Sequence, residues 1–322
     1  MHYPPLIKEI GRGAKGARSL NETQAEAMFA AMLAGSVPDM ELGAILLSMR
    51  IKGESDVEML GFKRALDAAV ARVVPPDGPR LVAIPMYNGA RRQPNLMPYV
   101  ARRLAQLGVP VLIHGHFDFD ARIDPFALLA ALELPLQQSA AEAQAALAAR
   151  GLAALHVSAL APGLARLLAL RPRLGVRNSG HTMVKLLDPA PGRSVRLVAV
   201  THPEYLERMQ SFLAADGGRA LLMRGTEGEC YANPRRRPQL TAGVDGQIQV
   251  LFAAEEGGAP PLPGMPDDGA TGPNAELIRQ MLAGRHAVPQ PLIDQIACCL
   301  WLSGRCASLS DALALASAPA SA

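Results

Sequence analysis

The stretch from Leu81 to His116 restricts the possible folds of this chain more strongly than any other part of its sequence. It begins with a continuous apolar run, Leu81–Ile84, and passes through a glycine-containing loop into the helical pattern of Pro98–Leu107. A second apolar run, Val109–Ile113, follows directly. Two short buried strands that flank a helix are typical of a βαβ unit, in which the strands run parallel. In such units ligands bind beyond the carboxyl end of the first strand, where the loop meets the helix.

Three helices with short links are predicted before this unit. Asn21 and Gln24 form a capping-box pattern at the start of the first helix, and Gly35 ends it. A second helix begins at Asp39, and Ser55 caps a third. Helices this close in sequence pack against one another, so we predict a small helical subdomain.

Composition favours a water-soluble protein with a large core. The chain of 322 residues is 49% hydrophobic and 19% charged, which is enough for two domains. It contains no apolar run of the roughly 20 residues that span a bilayer, and its amino terminus lacks the features of a secretion signal. The four cysteines follow neither a disulfide framework nor a paired CxxC zinc spacing. We therefore expect a cytoplasmic protein with no membrane contact.

Several motifs resemble those of anthranilate phosphoribosyltransferases. Leu47–Glu54 reads LSMRIKGE, close to the family pattern LRxKGE, and Leu170–Gly175 follows the family pattern VRxxLG. His114 and Gly115 match the histidine and glycine of the family's KHGN motif. The resemblance extends over nearly the whole chain. It implies a fold like that of this transferase and of nucleoside phosphorylases.

The predicted fold class is therefore α/β, with a small all-helical amino-terminal subdomain and a larger α/β domain that has a central sheet. We assign residues 1–73 to the helical subdomain, completed by helices near 162–190. Residues 74–161 and 191–322 form the α/β domain. In the family the helical part mediates dimerisation, so the resemblance implies a homodimer.

The loop after the first strand departs from the family. The family sequence GTGGDxxxTFNIST falls on Pro85–Pro98, where the glycine-rich run has become PMYNG and only Asn95 survives. Backbone amides cradle a diphosphate where glycine lets the chain approach closely, and proline has no amide hydrogen. We predict that the site for phosphoribosyl diphosphate is lost. The vestigial substrate site that the resemblance implies comprises Asn88, Gly89, Asn95, His114, Gly115 and Arg171, the last at the position that holds the carboxylate of anthranilate.

The metal ligands implied by the family are also replaced. Its magnesium-binding aspartate and glutamate fall on Cys230 and Tyr231, and a thiol and a phenol are poor ligands for magnesium. Glu227 and Glu229 lie nearby and offer an alternative pair of ligands, although their register is offset. We expect no catalytic residue, metal or cofactor, with magnesium required only if the chain is an enzyme.

A second metal hypothesis concerns the alternation of His114, His116, Asp118 and Asp120 after the second strand. Residues at a spacing of two share a strand face, and this set includes zinc-type ligands. The family's own histidine at this turn does not ligate a metal, so we do not assign a metal site here.

Basic residues are concentrated in three segments. Residues 80–117 contain five arginines and no carboxylate, and residues 166–196 contain six arginines and Lys185 against Asp188 alone. The amino-terminal arm is also basic, and its glycines predict a loose chain. Such segments favour contact with a polyphosphate backbone, and the low aromatic content of 4% argues against base stacking. The predicted phosphate contacts are Lys8, Arg12, Lys15, Arg18, Arg91, Arg92, Arg177 and Lys185.

Three segments resemble one branch of the family in particular, its non-catalytic nucleic-acid-binding proteins. They are KEIGRGAKGARSL, MRIKGESDVEMLGF and RNSGHTMVKLLDP. The resemblance implies a homodimer that binds DNA or RNA without strong sequence preference. Two alternatives stay open: a phosphoribosyltransferase or nucleoside phosphorylase with an altered substrate, and a scaffold that binds only a protein partner.

Overall fold

The computed structural model describes residues 2–119, 121–266 and 269–319. The helices in chain order are α1 Tyr3–Ile10, α2 Gly13–Gly16, α3 Glu22–Ala34, α4 Asp39–Lys52, α5 Asp56–Ala69, α6 Met97–Gln106, α7 Pro125–Ala131, α8 Ala140–Arg150, α9 Val157–Leu160, α10 Pro162–Leu168, α11 Arg171–Leu174, α12 Ser179–Met183, α13 Glu204–Asp216, α14 Thr271–Leu282, α15 Gln290–Leu302 and α16 Leu309–Ser317. A 3₁₀ helix spans Val184–Leu186. The strands are β1 Leu81–Met86, β2 Val111–Gly115, β3 Leu136–Gln137, β4 Leu152–His156, β5 Ser194–Val200, β6 Ala220–Arg224, β7 Leu240–Val244 and β8 Gln247–Phe252.

The chain divides into a helical unit and an α/β unit. The helical unit comprises Met1–Arg72 and Val157–Pro189, and the α/β unit comprises Val73–His156 and Ala190–Ala322. This arrangement confirms the predicted fold class. Within the described ranges, no helix combines the length and the apolar character needed to cross a membrane.

The helical unit is organised around the packing of α3 on α5. Asn21 caps α3 in a capping box with Gln24, as predicted, and Gly35 ends the helix in the left-handed conformation with φ 73°. Phe29 and Phe62 stack with their ring centroids 4.6 Å apart. The two aromatic rings are buried and join the helices directly.

The later part of the amino-terminal arm was predicted to be loose because of its glycines, but it forms the short helix α2, so that prediction was wrong. Residues from Tyr3 onward form α1 and α2, and Tyr3 and Ile10 are buried. Pro4 and Pro5 lie in the first turn of α1, where a missing amide hydrogen costs no helical hydrogen bond. Burial of the apolar side chains of α1 provides the stabilisation that its glycine-rich continuation lacks.

The α/β unit is built on one eight-stranded sheet in the order β3-β4-β2-β1-β5-β6-β7-β8. All neighbouring strands from β3 to β6 are parallel, whereas β6–β7 and β7–β8 are antiparallel. The predicted βαβ unit is confirmed, because β1 and β2 flank α6 and pair in parallel. The chain adds strands to one side of β1 and then, with β5, to the other. Ligands of open α/β sheets bind at such a switch point, beyond the carboxyl ends of the strands.

Candidate anion-binding site

The loop from Tyr87 to Leu96 leaves the carboxyl end of β1 at this switch point. Its first part is buried through Ala90, and Arg91 and Arg92 are exposed. Gly89 has φ 70°, and a Cβ atom added there would lie 2.4 Å from the carbonyl oxygen of Ile123. Only glycine meets both conditions, so this position fixes the path of the loop.

A buried carboxylate lies on the first amides of the loop. Glu229 Oε1 accepts hydrogen bonds from the backbone N–H groups of Asn88 at 2.7 Å and Gly89 at 2.6 Å. The Asn88 side chain donates to the carbonyl oxygen of Gly228 at 2.7 Å, which joins the two loops a second time. Burial raises the pKa of Glu229, while the backbone N–H groups of Gly89, Asn88 and Tyr87 and the charge of Arg122 lower it.

A second carboxylate lies on the exposed part of the loop. Glu227 accepts from the backbone N–H of Arg91 at 2.5 Å and from that of Arg92 at 3.0 Å. The guanidinium of Arg122 donates to the carbonyl oxygens of Glu227 at 3.0 Å and Gly89 at 3.3 Å. Four backbone amides of the β1–α6 loop therefore point at two carboxylates of the protein itself. We call this arrangement of Asn88, Gly89, Arg91 and Arg92 amides the amide cradle.

Glu227 and Glu229 are the alternative pair of magnesium ligands. In this structure each of them accepts backbone hydrogen bonds from the loop. Among the described residues, no group of three or more histidine, cysteine, aspartate or glutamate side chains is arranged to hold a metal ion. Asp120, one member of the second metal hypothesis, lies outside the described residues.

Cys230 and Tyr231, at the positions implied for metal ligands, belong to the hydrophobic core. The Tyr231 hydroxyl donates to the carbonyl oxygen of Pro94 at 2.7 Å, and burial raises the pKa of this phenol well above its ordinary value. Cys230 Sγ lies 3.7 Å from the carbonyl oxygen of Leu197. Both side chains are buried in the hydrophobic core and are shielded from solvent.

Asn95, the residue retained from the family motif, is buried at the start of α6. Its Oδ1 accepts from the backbone N–H of Met97 at 3.1 Å. This bond satisfies one of the amides that a helix leaves without a partner in its first turn. In this structure Asn95 therefore orders the end of the loop.

His114 and Gly115 end β2 beside the loop. The His114 side chain is buried, and neither ring nitrogen has a hydrogen-bond partner. Burial lowers the pKa of His114 to about 4. A Cβ atom on Gly115 would lie 2.0 Å from the carbonyl oxygen of Met86 on the paired strand. Packing alone thus explains the need for glycine here.

The buried imidazole predicts a loss of stability in acid. Because the pKa of His114 is lower in the folded state than the ordinary value of 6.5, protons favour the unfolded state below that pH. The contribution is complete above pH 6.5 and decreases as the pH falls toward 4. We expect the free energy of unfolding to drop by about 2 kcal/mol more in the wild type than in His114→Leu between about pH 7 and pH 5. Urea unfolding of both proteins measures this difference.

His114→Leu is a suitable reference because the imidazole makes no hydrogen bond that leucine would remove. Other titrating groups, including Glu229, contribute equally to both proteins and cancel in the difference. Parallel pH profiles for the two proteins would contradict the assignment.

His116 faces another imidazole rather than a metal site. Its Nδ1 lies 3.3 Å from Nε2 of His156, at the carboxyl end of β4. Both side chains are half-buried, and burial lowers the pKa of each. A hydrogen bond between neutral imidazoles accounts for this pair.

The predicted phosphate contacts differ in exposure. Six of them are exposed: Lys8, Arg12, Lys15, Arg18, Arg91 and Arg92. Arg12 also forms an ion pair with Glu9 at 3.1 Å. Arg177 and Lys185 are half-buried and interact within the protein, as does Arg171 of the vestigial substrate site. The structure brings Arg91 and Arg92 together on the rim of the amide cradle.

Sequence reasoning did not identify the carboxylates as partners of the loop. Glu227 and Glu229 were considered only as metal ligands, and Arg122 was not considered. The available signal was the Glu-Gly-Glu sequence that is separated from β6 by two residues, because loops at the carboxyl ends of parallel strands lie at the same edge of the sheet. Only the strand order places that segment next to the loop of β1.

Comparisons with known proteins identify relatives of this chain. Residues 4–70 match the helical bundle domain of the glycosyl transferase family. The uncharacterized protein YbiB of Escherichia coli (strain K12) is 43% identical over 317 residues, which cover 98% of each chain. An anthranilate phosphoribosyltransferase of Methylocella silvestris is 27% identical over 98% of this chain and 89% of its own length.

Solved structures agree on the fold. The crystal structure of anthranilate phosphoribosyltransferase from Thermus thermophilus matches with a TM-score of 0.77 and 24% identity, covering 96% of this chain and 92% of that one. The Saccharomyces cerevisiae enzyme in complex with PRPP and Mg matches with a TM-score of 0.73 and 14% identity, over 96% and 90% of the two chains. The relatives cited by activity are named as anthranilate phosphoribosyltransferases, and none of those cited is described as binding nucleic acid. This chain belongs to the same family as YbiB of Escherichia coli, with which it is 43% identical over 98% of both chains, and it has the fold of anthranilate phosphoribosyltransferase structures.

Proposed function

We propose that this protein is a non-catalytic, weakly sequence-specific nucleic-acid-binding protein of the cytoplasm. The observation that carries the proposal is the state of the amide cradle. Its amides bind Glu229 and Glu227, while the side chains of Arg91 and Arg92 remain exposed at its rim. A small diphosphate would need the amides, whereas a polymer of phosphates needs only the guanidinium groups.

The exposed cations of the amino-terminal arm support the same partner. Lys8, Arg12, Lys15 and Arg18 lie on or next to two short helices and are exposed. Contacts between such side chains and phosphates release counterions, so the affinity is high at low salt and decreases as salt is added. Because phosphate contacts carry no sequence information directly, the preference for particular bases is weak.

We further propose that the protein acts as a homodimer that forms through α4. Helices in monomeric proteins rarely expose apolar side chains along one face, yet Met40, Leu47 and Ile51 of α4 are 83%, 41% and 69% exposed. Their spacing places them along one stripe of the helix. A second copy of the helical unit would bury this stripe.

Charged residues introduced into the stripe by substitution are expected to weaken the dimer. Leu47→Glu combined with Ile51→Glu should raise the dimer dissociation constant at least about tenfold, because two carboxylates would lose their hydration at the interface. Analytical ultracentrifugation over a concentration series measures the constant. Val250→Glu is the matched control, since Val250 is 50% exposed but belongs to the α/β unit. An unchanged constant in the double variant would place the interface elsewhere.

A phosphoribosyltransferase with an altered substrate is the second candidate function. It is favoured by relatives of that name that match over nearly the full length of this chain. The two functions differ in the ligand that binds. Calorimetry with phosphoribosyl diphosphate and magnesium, run beside titration of a labelled oligonucleotide at low salt, separates them.

The proposed function predicts oligonucleotide binding and no heat with the activated sugar. Metal-dependent binding of phosphoribosyl diphosphate without oligonucleotide binding would establish the enzyme candidate instead. If neither ligand binds, both proposals are wrong and a protein partner becomes the remaining explanation.

A further inference from the structure

The amide cradle has the geometry of an anion-binding site. The groups that occupy it are two carboxylate side chains of the protein itself. Two amides converge on one oxygen of Glu229 at 2.7 and 2.6 Å, and two more bind Glu227 at 2.5 and 3.0 Å. A hydrogen bond from a backbone N–H group to an ionised carboxylate is stronger than one between two neutral groups. Two carboxyl groups that accept from backbone amides of one loop fill the hydrogen-bond donors that a bound diphosphate would use.

The turn that carries the two carboxylates has an unusual backbone conformation. Glu227 has φ 53° and Gly228 has φ 93°, so two consecutive residues adopt the left-handed region. Such a conformation is unfavourable for a non-glycine residue such as Glu227, and the hydrogen bonds to the cradle offset that cost. A Cβ atom on Gly228 would lie 2.6 Å from the Asn88 side chain, so glycine also permits the close approach of the two loops.

Arg122 strengthens the closed arrangement. Its guanidinium donates to the carbonyl oxygens of Glu227 and Gly89, one from each of the two loops. It also favours the ionised form of Glu229. A phosphate that approached the cradle would have to displace two tethered carboxylates and would be repelled by their charge.

We propose that Glu227 and Glu229 are specificity-determining residues that close the amide cradle to small phosphate ligands and so restrict anion binding to exposed side chains. Exclusion of a small anion follows from the hydrogen bonds alone. The inference that the anion bound by the exposed side chains is a polymer rests on the proposed function.

The double variant Glu227→Ala/Glu229→Ala tests the proposal with inorganic pyrophosphate as the probe. Removal of both side chains frees the four amides, so the variant is expected to bind pyrophosphate at least about tenfold more tightly than the wild type in calorimetry. Pyrophosphate should also raise the melting temperature of the variant and leave that of the wild type unchanged.

Glu227→Gln/Glu229→Gln is the matched control. Glutamine keeps an oxygen that accepts from the amides, so this variant loses the charge but keeps the cradle filled and should bind pyrophosphate less well than the alanine variant. If removal of the buried Glu229 prevents folding, Glu227→Ala alone still frees the amides of Arg91 and Arg92 and should show the gain.

A folded alanine variant that binds pyrophosphate no better than the wild type would overturn the proposal. Titration of the same proteins with an oligonucleotide keeps the tests separate. If the wild type binds no oligonucleotide but the alanine variant gains pyrophosphate, the proposed function fails and the closed cradle stands.

Discussion

Replacement of Arg91 and Arg92 with alanine is expected to weaken oligonucleotide binding about 100-fold at low salt and to reduce the slope of log K against log salt by about 2. Both side chains are exposed, and the backbone between them is held by Glu227, so the guanidinium groups are free of the amide contacts that fix the loop. Each phosphate contact that is lost removes about one unit of slope. Fluorescence anisotropy at several salt concentrations measures both quantities.

The control for this variant is Arg236→Ala combined with Arg285→Ala. These arginines are also exposed and lie in the same unit, on segments other than the loop of β1. Their loss changes the net charge equally and should leave the slope unchanged. Equal changes in affinity and salt slope for both arginine pairs would mean that net charge alone determines oligonucleotide binding, and would contradict a contact at the loop of β1.

Gly115→Ala is expected to lower the free energy of unfolding by about 3 kcal/mol or more. The new Cβ atom would lie 2.0 Å from the carbonyl oxygen of Met86, and this oxygen belongs to the backbone of the neighbouring strand. Since backbone cannot rotate away as a side chain can, the two strands must separate locally. Urea unfolding monitored by circular dichroism measures the loss.

Gly272→Ala provides the comparison within the same unit. Gly272 is exposed in the first turn of α14, and a Cβ atom there would have no neighbour within 4 Å. Alanine should therefore be neutral or slightly stabilising at this position. A Gly115→Ala protein as stable as Gly272→Ala would show that β1 and β2 are not as closely paired as described.

The sequence predicted those elements whose determinants are local. The apolar runs of the βαβ unit and the capping box at Asn21 each specify a conformation within a few residues, and both formed as predicted. The antiparallel hairpin of β7 and β8 was missed, although Asp245 and Gly246 carry the positive φ values of a tight hairpin turn. An Asp-Gly pair between apolar segments is the pattern that predicts such a turn.

The candidate site was less predictable because its key contacts are distant in sequence. The replacement of the family's glycine-rich run in the loop after β1 predicts a loss of phosphate ligands, but it does not predict that Glu227 and Glu229 bind the amides of this loop. Glu227 and Glu229 follow β6, and β5 lies between β6 and β1 in the sheet. These residues therefore contact the loop of β1 across an intervening strand. The helicity of the amino-terminal arm likewise depends on the burial of Tyr3 and Ile10, which local glycine content does not disclose.

The most direct test of the central claim is anisotropy of the wild-type protein with a labelled oligonucleotide of mixed sequence, measured over a salt series with and without phosphoribosyl diphosphate and magnesium. A protein that binds polyphosphate through exposed cations, with its amide cradle already filled, should bind at low salt and lose affinity linearly on the logarithmic scale as salt rises. It should release no oligonucleotide when the activated sugar is added, beyond the effect of that addition on ionic strength. Absence of binding at low salt, affinity that is independent of salt, or displacement by the activated sugar and magnesium would contradict the account.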